Sequence, residues 1–428
     1  MPDGSVVIKG GRVVDATGER AADVVVADGH VVAVGADLNG DRVLDAGGCL
    51  VAPGLVDLHA HLRQPGKEEA ETIESGSRCA ALGGFTAVVA MPNTTPAIDS
   101  AAVVREVLEL GRTALCAIHP SGAITVGRAG DQLAPMAEMA ERGVRLFTDD
   151  GTGVQDDLLM RRAMEYAVGL PHDVVLAQHC ESAALAAGGH MHEGEWSSRL
   201  GLAGQPYAAE EAMVARDIAL ARLTGARIHM QHMSTAGSVA LIAAARASGL
   251  AVSAEATPHH LLLTHAECAG FDPVFKVNPP LRTEADVAAV RRGVVDGTLD
   301  AIATDHAPHT SDAKDEPFDQ APPGMLGLEF ALGVALAVLE LPVVEVLARL
   351  SWRPAAIAGV SDTQGGPVAA GRPANLCVID PEVRWTVAAG QTASRSRNIP
   401  YVGRMLQGKV RHTLCAGEPV VVDGDAQR

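Results

Sequence analysis

Through the middle of the chain, short apolar runs alternate with longer stretches in which apolar positions recur every three to four residues. The runs near 56–62, 85–91, 114–119, 144–149, 174–179, 227–232, 251–257 and 300–305 read as buried strands. The periodic stretches over 71–82, 101–111, 133–142, 156–168, 208–223, 236–248, 283–295 and 328–339 predict helices. Strand and helix therefore alternate eight times over about 300 residues, which fits a TIM-type (β/α)8 barrel, usually ~250 residues with insertions tolerated. A doubly wound open sheet is the rival, but no Gly-x-Gly-x-x-Gly follows the first run.

The two ends have a different texture. Val6-Val7-Ile8, Arg12-Val13-Val14, Val24-Val25-Val26 and His30-Val31-Val32-Ala33-Val34 are valine-rich and broken by Gly and Asp, which predicts a small antiparallel sheet. Similar runs return in Asn375-Leu376-Cys377-Val378-Ile379, Lys409-Val410-Arg411-His412-Thr413-Leu414 and Pro419-Val420-Val421-Val422. The expected organisation is a minor β-sandwich domain built from residues 1–54 and 366–428, with the barrel, 55–365, inserted between them. Ala52-Pro53-Gly54 and Gly365-Gly366-Pro367 mark the joins.

Composition narrows the function classes. With 47% hydrophobic but only 3% aromatic residues, the core must be aliphatic. A formal charge of -18 argues against an extended nucleic-acid surface, although one local arginine still suits a small anion. The start, Met1-Pro2-Asp3-Gly4, lacks the basic and apolar regions of a signal peptide, and the run 330–339 stops at Glu340, far short of a membrane span. The seven cysteines are scattered and never paired as Cys-x-x-Cys, which fits reduced thiols. A cytoplasmic protein without membrane attachment is expected.

Chemistry gathers at one end of the strand candidates. In Val56-Asp57-Leu58-His59-Ala60-His61-Leu62-Arg63 a strand period of two puts His59, His61 and Arg63 on one face. Other runs end in Thr148-Asp149-Asp150-Gly151, Gln178-His179-Cys180-Glu181, His229-Met230-Gln231-His232 and Thr304-Asp305-His306-Ala307-Pro308-His309. Each has a bland reading as a helix cap, core histidine or turn former. Their joint appearance at the C-terminal ends of strands, where such barrels carry their active sites, points to a metal centre. Four histidines and two carboxylates suffice for two ions of the zinc type, one carboxylate bridging. A water between the ions would be the nucleophile, and the last-strand carboxylate would move the proton to a leaving nitrogen.

His59-Ala60-His61-Leu62-Arg63-Gln64-Pro65-Gly66, Met91-Pro92-Asn93-Thr94, Phe147-Thr148-Asp149-Asp150-Gly151, Thr257-Pro258-His259-His260-Leu261, Asn278-Pro279-Pro280-Leu281-Arg282 and Asp305-His306-Ala307-Pro308-His309 together resemble the dihydroorotases of the amidohydrolase superfamily, in their bacterial class I form. The resemblance spans essentially the whole chain. It implies the reversible cyclisation of N-carbamoyl-L-aspartate to L-dihydroorotate in pyrimidine (UMP) synthesis. It implies two Zn2+ per subunit bridged by Asp150 and a hydroxide that attacks the cyclic amide in the hydrolytic direction. His59 and His61 would hold one ion, His179 and His232 the other, and Asp305 would bind the first ion and transfer the proton. Many superfamily members bridge with a carboxylated lysine; no lysine stands at this strand end, and Asp150 is preferred to Asp149 on the resemblance alone.

The same likeness assigns substrate contacts to His61, Arg63, Asn93, Asn278, His309, Pro323 and Gly324. His229 and His306 are expected to support neighbouring ligands. Residues 310–322 read equally as a closing lid or a plain surface loop. Gln64, where an acid is common, and Pro323, where an aromatic is common, depart from the pattern at places expected to face substrate. A homo-oligomer is expected, and association with aspartate transcarbamoylase stays open. The competing readings are a hydantoinase or allantoinase with the same metals, which Arg63 and Asn93 disfavour, and a silent barrel serving as that transcarbamoylase's scaffold, which the full set of ligand-type residues disfavours.

Overall fold

A computed structural model describes residues 4–427; Met1, Pro2 and Asp3, part of the stretch read above for a signal peptide, lie outside them. The strands expected along the middle of the chain form, all parallel: β1 (Leu55–Ala60), β2 (Phe85–Ala90), β3 (Ala117–Pro120), β4 (Leu146–Phe147), β5 (Val175–Gln178), β6 (Ile228–Met230), β7 (Val252–Ala256) and β8 (Ala301–Ile302). They lie in two sheets, ordered β3-β2-β1 and β4-β5-β6-β7-β8. Parallel bridges join the sheets at both seams, Gly122 with Phe147 and Ala60 with His306. At these seams Thr148 N–H donates to the Gly122 carbonyl at 2.8 Å, and His61 N–H to the His306 carbonyl at 2.8 Å.

Several strands are shorter than their apolar runs, and β8 shows why. Past its end the Thr304 N–H goes to the Asp57 carboxylate at 2.8 Å, and the Thr304 hydroxyl to the same group at 2.6 Å. A side chain thus replaces the neighbouring strand as partner. Burial pushes the Asp57 carboxyl up to about 7 despite these bonds.

Helices pack outside the strands and begin where the sequence supplies caps. Thr72, Thr235 and Thr283 each accept an N–H from the first turn of the helices Ile73–Leu82, Ala236–Ala247 and Glu284–Asp296, satisfying donors that helix geometry leaves free. The core is aliphatic as expected, with Phe85 and Phe147 among its few aromatic members.

The chain ends form two further sheets. One holds Arg12–Asp15, Gly18–Ala21 and Leu50–Pro53 from the N-terminal side, with Leu376–Thr386, Met405–Cys415, Glu418–Val422 and Asp425–Ala426 from the C-terminal side. The other holds His30–Gly35, Asp23–Ala27, Val6–Lys9 and Arg42–Asp45. One apolar cluster joins both, including Ile8, Val24, Val51, Leu376 and Leu414. The expected purely antiparallel pairing is corrected: Val6–Lys9 runs parallel to Arg42–Asp45, and Arg12–Asp15 parallel to Leu50–Pro53. Hairpin spacing reveals only pairing between chain neighbours, and these partners are distant in sequence. Among the described residues no helix is long and apolar enough to cross a membrane.

Candidate metal centre and substrate pocket

The strand ends bring the predicted ligands together. His59, His61 and Asp150 form one group of ligand atoms able to hold a metal ion, and Asp150, His179 and His232 form another, so Asp150 is common to both. Asp150 Oδ1 lies 3.2 Å from His59 Nε2 and 3.6 Å from His179 Nδ1 and from His232 Nε2. His61 Nε2 is 3.4 Å from Asp150 Oδ2 and 3.1 Å from Asp305 Oδ1, while His59 Nε2 is 3.5 Å from Asp305 Oδ1.

Asp149 is separated from its neighbour by its bonds. Its carboxylate accepts the N–H groups of Ile124 and Thr125, at 2.8 and 3.0 Å, and the Thr125 hydroxyl. It therefore braces the loop after β3 and leaves Asp150 to face the histidines.

Burial disfavours the ionised forms of Asp150 and Asp305, but the surrounding imidazoles hold both carboxyls below their usual range. His59 Nε2 and Asp150 Oδ1 are buried with no hydrogen-bond partner, and His179 Nδ1 sits only 2.8 Å from His232 Nε2. Unsatisfied buried acceptors and crowded ring nitrogens are costly unless a cation lies among them. Nitrogen and oxygen donors in this mixture fit a borderline divalent ion. A third group, Glu71, Cys79 and His306, is different in kind. Its Glu71 already accepts from the hydroxyls of Ser75 and Ser394 and the Arg395 N–H, with His306 Nε2 at 3.4 Å.

Side chains behind the ligands fix their orientation. Glu255 reaches His59 Nδ1 and His229 Nε2, each at 2.9 Å, and His229 Nδ1 meets the Ser253 hydroxyl at 2.9 Å. The expected supporting role of His229 thus runs through a glutamate that sequence reading missed. An acid inside the apolar run of β7 was its visible signal, since a buried charge requires a partner. His61 Nδ1 is held by Asn93 Oδ1 at 2.9 Å, so Asn93 orients the His61 ring as well as facing the cavity.

The cavity above the metal groups has a volume of about 270 Å³. Every residue predicted for substrate or metal lines it except His59, which lies behind Asp150. Arg63 reaches it by a route other than strand period. The strand ends at Ala60, and Arg63 has a left-handed backbone, φ 62°, that turns its Nε onto the Pro308 carbonyl at 3.0 Å. His309 Nε2 donates to the Pro323 carbonyl at 2.8 Å, and a Cβ on Gly324 would fall 2.7 Å from that same nitrogen, so the position requires glycine. Asn278 Oδ1 accepts from Gln205 Nε2 at 3.3 Å.

Gln64 is corrected. It does not line the cavity; its Oε1 accepts the Ile73 N–H at 3.0 Å, at the start of the helix Ile73–Leu82. Two further residues were missed. Asn398, from the C-terminal part of the chain, donates to the carbonyls of Ala307 and Gly324 at 2.9 and 3.1 Å and ties two cavity walls together. Arg128 lines the cavity from the loop after β3.

Comparisons with known proteins agree with this geometry. A family profile described as Dihydro-orotase-like matches residues 48–238. The dihydroorotase of Pelotomaculum thermopropionicum is 47% identical, covering 98% of this chain and 99% of that protein. That of Mycobacterium tuberculosis is 48% identical with the same coverage. Among solved structures, the L-hydantoinase (dihydropyrimidinase) of Arthrobacter aurescens superposes with a TM-score of 0.89 at 25% identity, covering 100% of this chain and 98% of that one. Fold and site define a cyclic amidohydrolase. Within that class, the chain belongs to the dihydroorotase family.

Proposed function

We propose that the protein catalyses the zinc-dependent, reversible cyclisation of N-carbamoyl-L-aspartate to L-dihydroorotate. The observation that carries this reading is the convergence of two histidine pairs on Asp150 at the floor of a cavity whose wall carries Arg63. The seams between the two parallel sheets support a closed (β/α)8 barrel, residues 55–365, and the shared apolar cluster supports a β-sandwich domain from 1–54 and 366–428.

In this reading His59, His61 and Asp305 would hold one Zn2+ and His179 and His232 the other, with Asp150 available to both. When bound, the ions polarise the scissile carbonyl and make water nucleophilic near neutral pH. Arg63, Asn93 and His309 receive the ring carboxylate, while Asn278 and the Pro323-Gly324 backbone hold the amide edge. In the hydrolytic direction water oxygen bonds to the ring acyl carbon and the carbon–nitrogen bond breaks. Asp305 takes the proton from the water and gives it to the departing nitrogen, yielding N-carbamoyl-L-aspartate. In synthesis the same residue works in reverse.

The likeness to a hydantoinase favours a second reading, a hydantoin-opening enzyme. Arg63 argues against it, because a ring without a carboxylate leaves that guanidinium unpaired. Assaying the purified protein with L-dihydroorotate and with hydantoins decides between them: turnover of dihydroorotate is expected, and turnover of hydantoin alone would overturn the proposal. A silent scaffold would neither turn over substrate nor take up zinc. Homo-oligomer formation and association with aspartate transcarbamoylase belong to the same reading and are tested by mass measurement with and without that enzyme.

A further inference from the structure

The cavity holds more positive charge than the assigned contacts use. Arg63, Lys67 and Arg128 all line it, and none is paired with a carboxylate among the described residues. Their charges act on one another: burial foremost, then Arg63 and Arg128, lowers the ammonium of Lys67 below its ordinary range. Asp305, Asp150 and Glu71 offset the repulsion at Arg63, whereas Arg128 and Lys67 face the cavity with no carboxylate at ion-pair distance among the described residues, a balance that suits a bound anion.

Arg128 is held ready for one. It ends the turn Val126–Arg128, with a left-handed backbone at φ 57°. Arg63, His232 and Asp305, also at the cavity, share this unfavourable region, and such conformations persist where surrounding structure enforces them. The enforcing group here is Asp149, whose carboxylate pins Ile124 and Thr125 just before the turn. One guanidinium nitrogen, Nη2, donates to the Asp150 carbonyl at 2.6 Å, while Nε is buried and has no partner. Gly151 leaves space at this point: a Cβ there would lie 3.4 Å from Arg128 Nη2 and 3.9 Å from Asn93 Nδ2. The guanidinium and the Asn93 amide therefore approach the same spot. Arg63 has its Nε committed to the Pro308 carbonyl and Nη2 near His309, so its Nε–Nη2 edge is taken and only its outer end can meet a carboxylate, which leaves acceptor positions for a second donor.

We infer that Arg128 is a second carboxylate-binding residue, working with Arg63 to make the cavity select anionic over neutral cyclic amides. This rests on the dihydroorotase reading. A purely structural Arg128, bracing the Asp150 carbonyl, is the alternative.

The test compares wild type, Arg128→Met and Arg128→Lys, each checked for zinc content and melting temperature. Substrates are L-dihydroorotate and the neutral ring 5,6-dihydrouracil. Loss of a charge-assisted hydrogen bond is expected to raise KM for L-dihydroorotate about 10- to 100-fold in Arg128→Met, with kcat nearly unchanged. Arg128→Lys should recover part of the loss, and any slow opening of dihydrouracil should be unaffected. An unchanged KM, or a fall in kcat and zinc content at constant KM, would overturn the inference while leaving the dihydroorotase reading in place. Absence of dihydroorotate turnover in the wild type would overturn both.

Discussion

Glu255 Oε1 lies 2.9 Å from His59 Nδ1, and this contact leaves Nε2 as the nitrogen that His59 would offer to a metal. With Nδ1–H donating to the carboxylate, the Nε2 lone pair faces Asp150 at 3.2 Å. Burial works against the Glu255 charge, but its bonds to His229 and His59 bring the carboxyl down to about 2. It therefore stays ionised across the working pH range and stabilises the ligand tautomer.

Replacing this carboxylate by an amide keeps the shape and removes the charge. Glu255→Gln should weaken metal binding about 10- to 100-fold, the usual loss when such a supporting partner is removed. Competition dialysis against a chelator reads the change directly. Wild-type retention of metal in this variant would contradict the orienting role.

Asp305 lies within 3.1 Å of His61 Nε2 and within 3.5 Å of His59 Nε2, so it can both bind a metal and reach the cavity. Asp305→Asn preserves volume but cannot accept the proton. Turnover should fall at least ~10²- to 10⁴-fold, the typical contribution of a positioned proton-transfer group. Near-normal rates, with the fold confirmed by circular dichroism, would refute the assignment.

What the sequence disclosed and what it concealed follow one physical division. The clustering of His59, His61, His179, His232 and Asp305 was legible because few residue types suit borderline metals and all five stand at or just past the ends of parallel strands. Asp150 and Asp149 could not be told apart by spacing, since the difference lies in which carboxylate meets the Ile124 and Thr125 amides. Glu255 left a trace as an acid in an apolar strand. Arg128 and Asn398 left none, because a loop arginine and an asparagine near the C-terminus acquire meaning only from distant partners. Gln64 misled for another reason: the family resemblance put it at a place expected to face substrate, but beyond the left-handed turn at Arg63 its side chain goes to the helix start.

Metal removal should expose the strain of the empty donor set. Ligand binding to the folded state alone stabilises it by about 2.7 kcal/mol when free ligand is a hundredfold above Kd. Dialysis against a chelator should abolish turnover and lower the melting temperature, and added Zn2+ should restore both. An apo form that melts at the same temperature as the zinc-treated protein would show that these groups do not hold zinc.

Lys314 supplies the last prediction, and it concerns the segment 310–322. Its Nζ donates to the carbonyls of Pro273 and Pro322 at 2.8 and 2.9 Å, and approaches that of Lys276 at 3.5 Å. Lys276 Nζ in turn donates to the Asp319 carbonyl at 2.9 Å, so the segment is fastened across its base beside the Pro323-Gly324 wall. Burial, then the Lys276 charge, pushes the Lys314 ammonium down to about 7 from an ordinary 10.5. Between those values the unfolded chain binds the extra proton, so folding stability rises with pH through that window. Lys314→Met lacks this dependence. Melting temperatures of wild type and variant, taken at about pH 6.5 and about pH 9.5, should show the wild type gaining on the variant at the higher pH. Parallel shifts would mean that Lys314 keeps an ordinary ammonium in the folded protein.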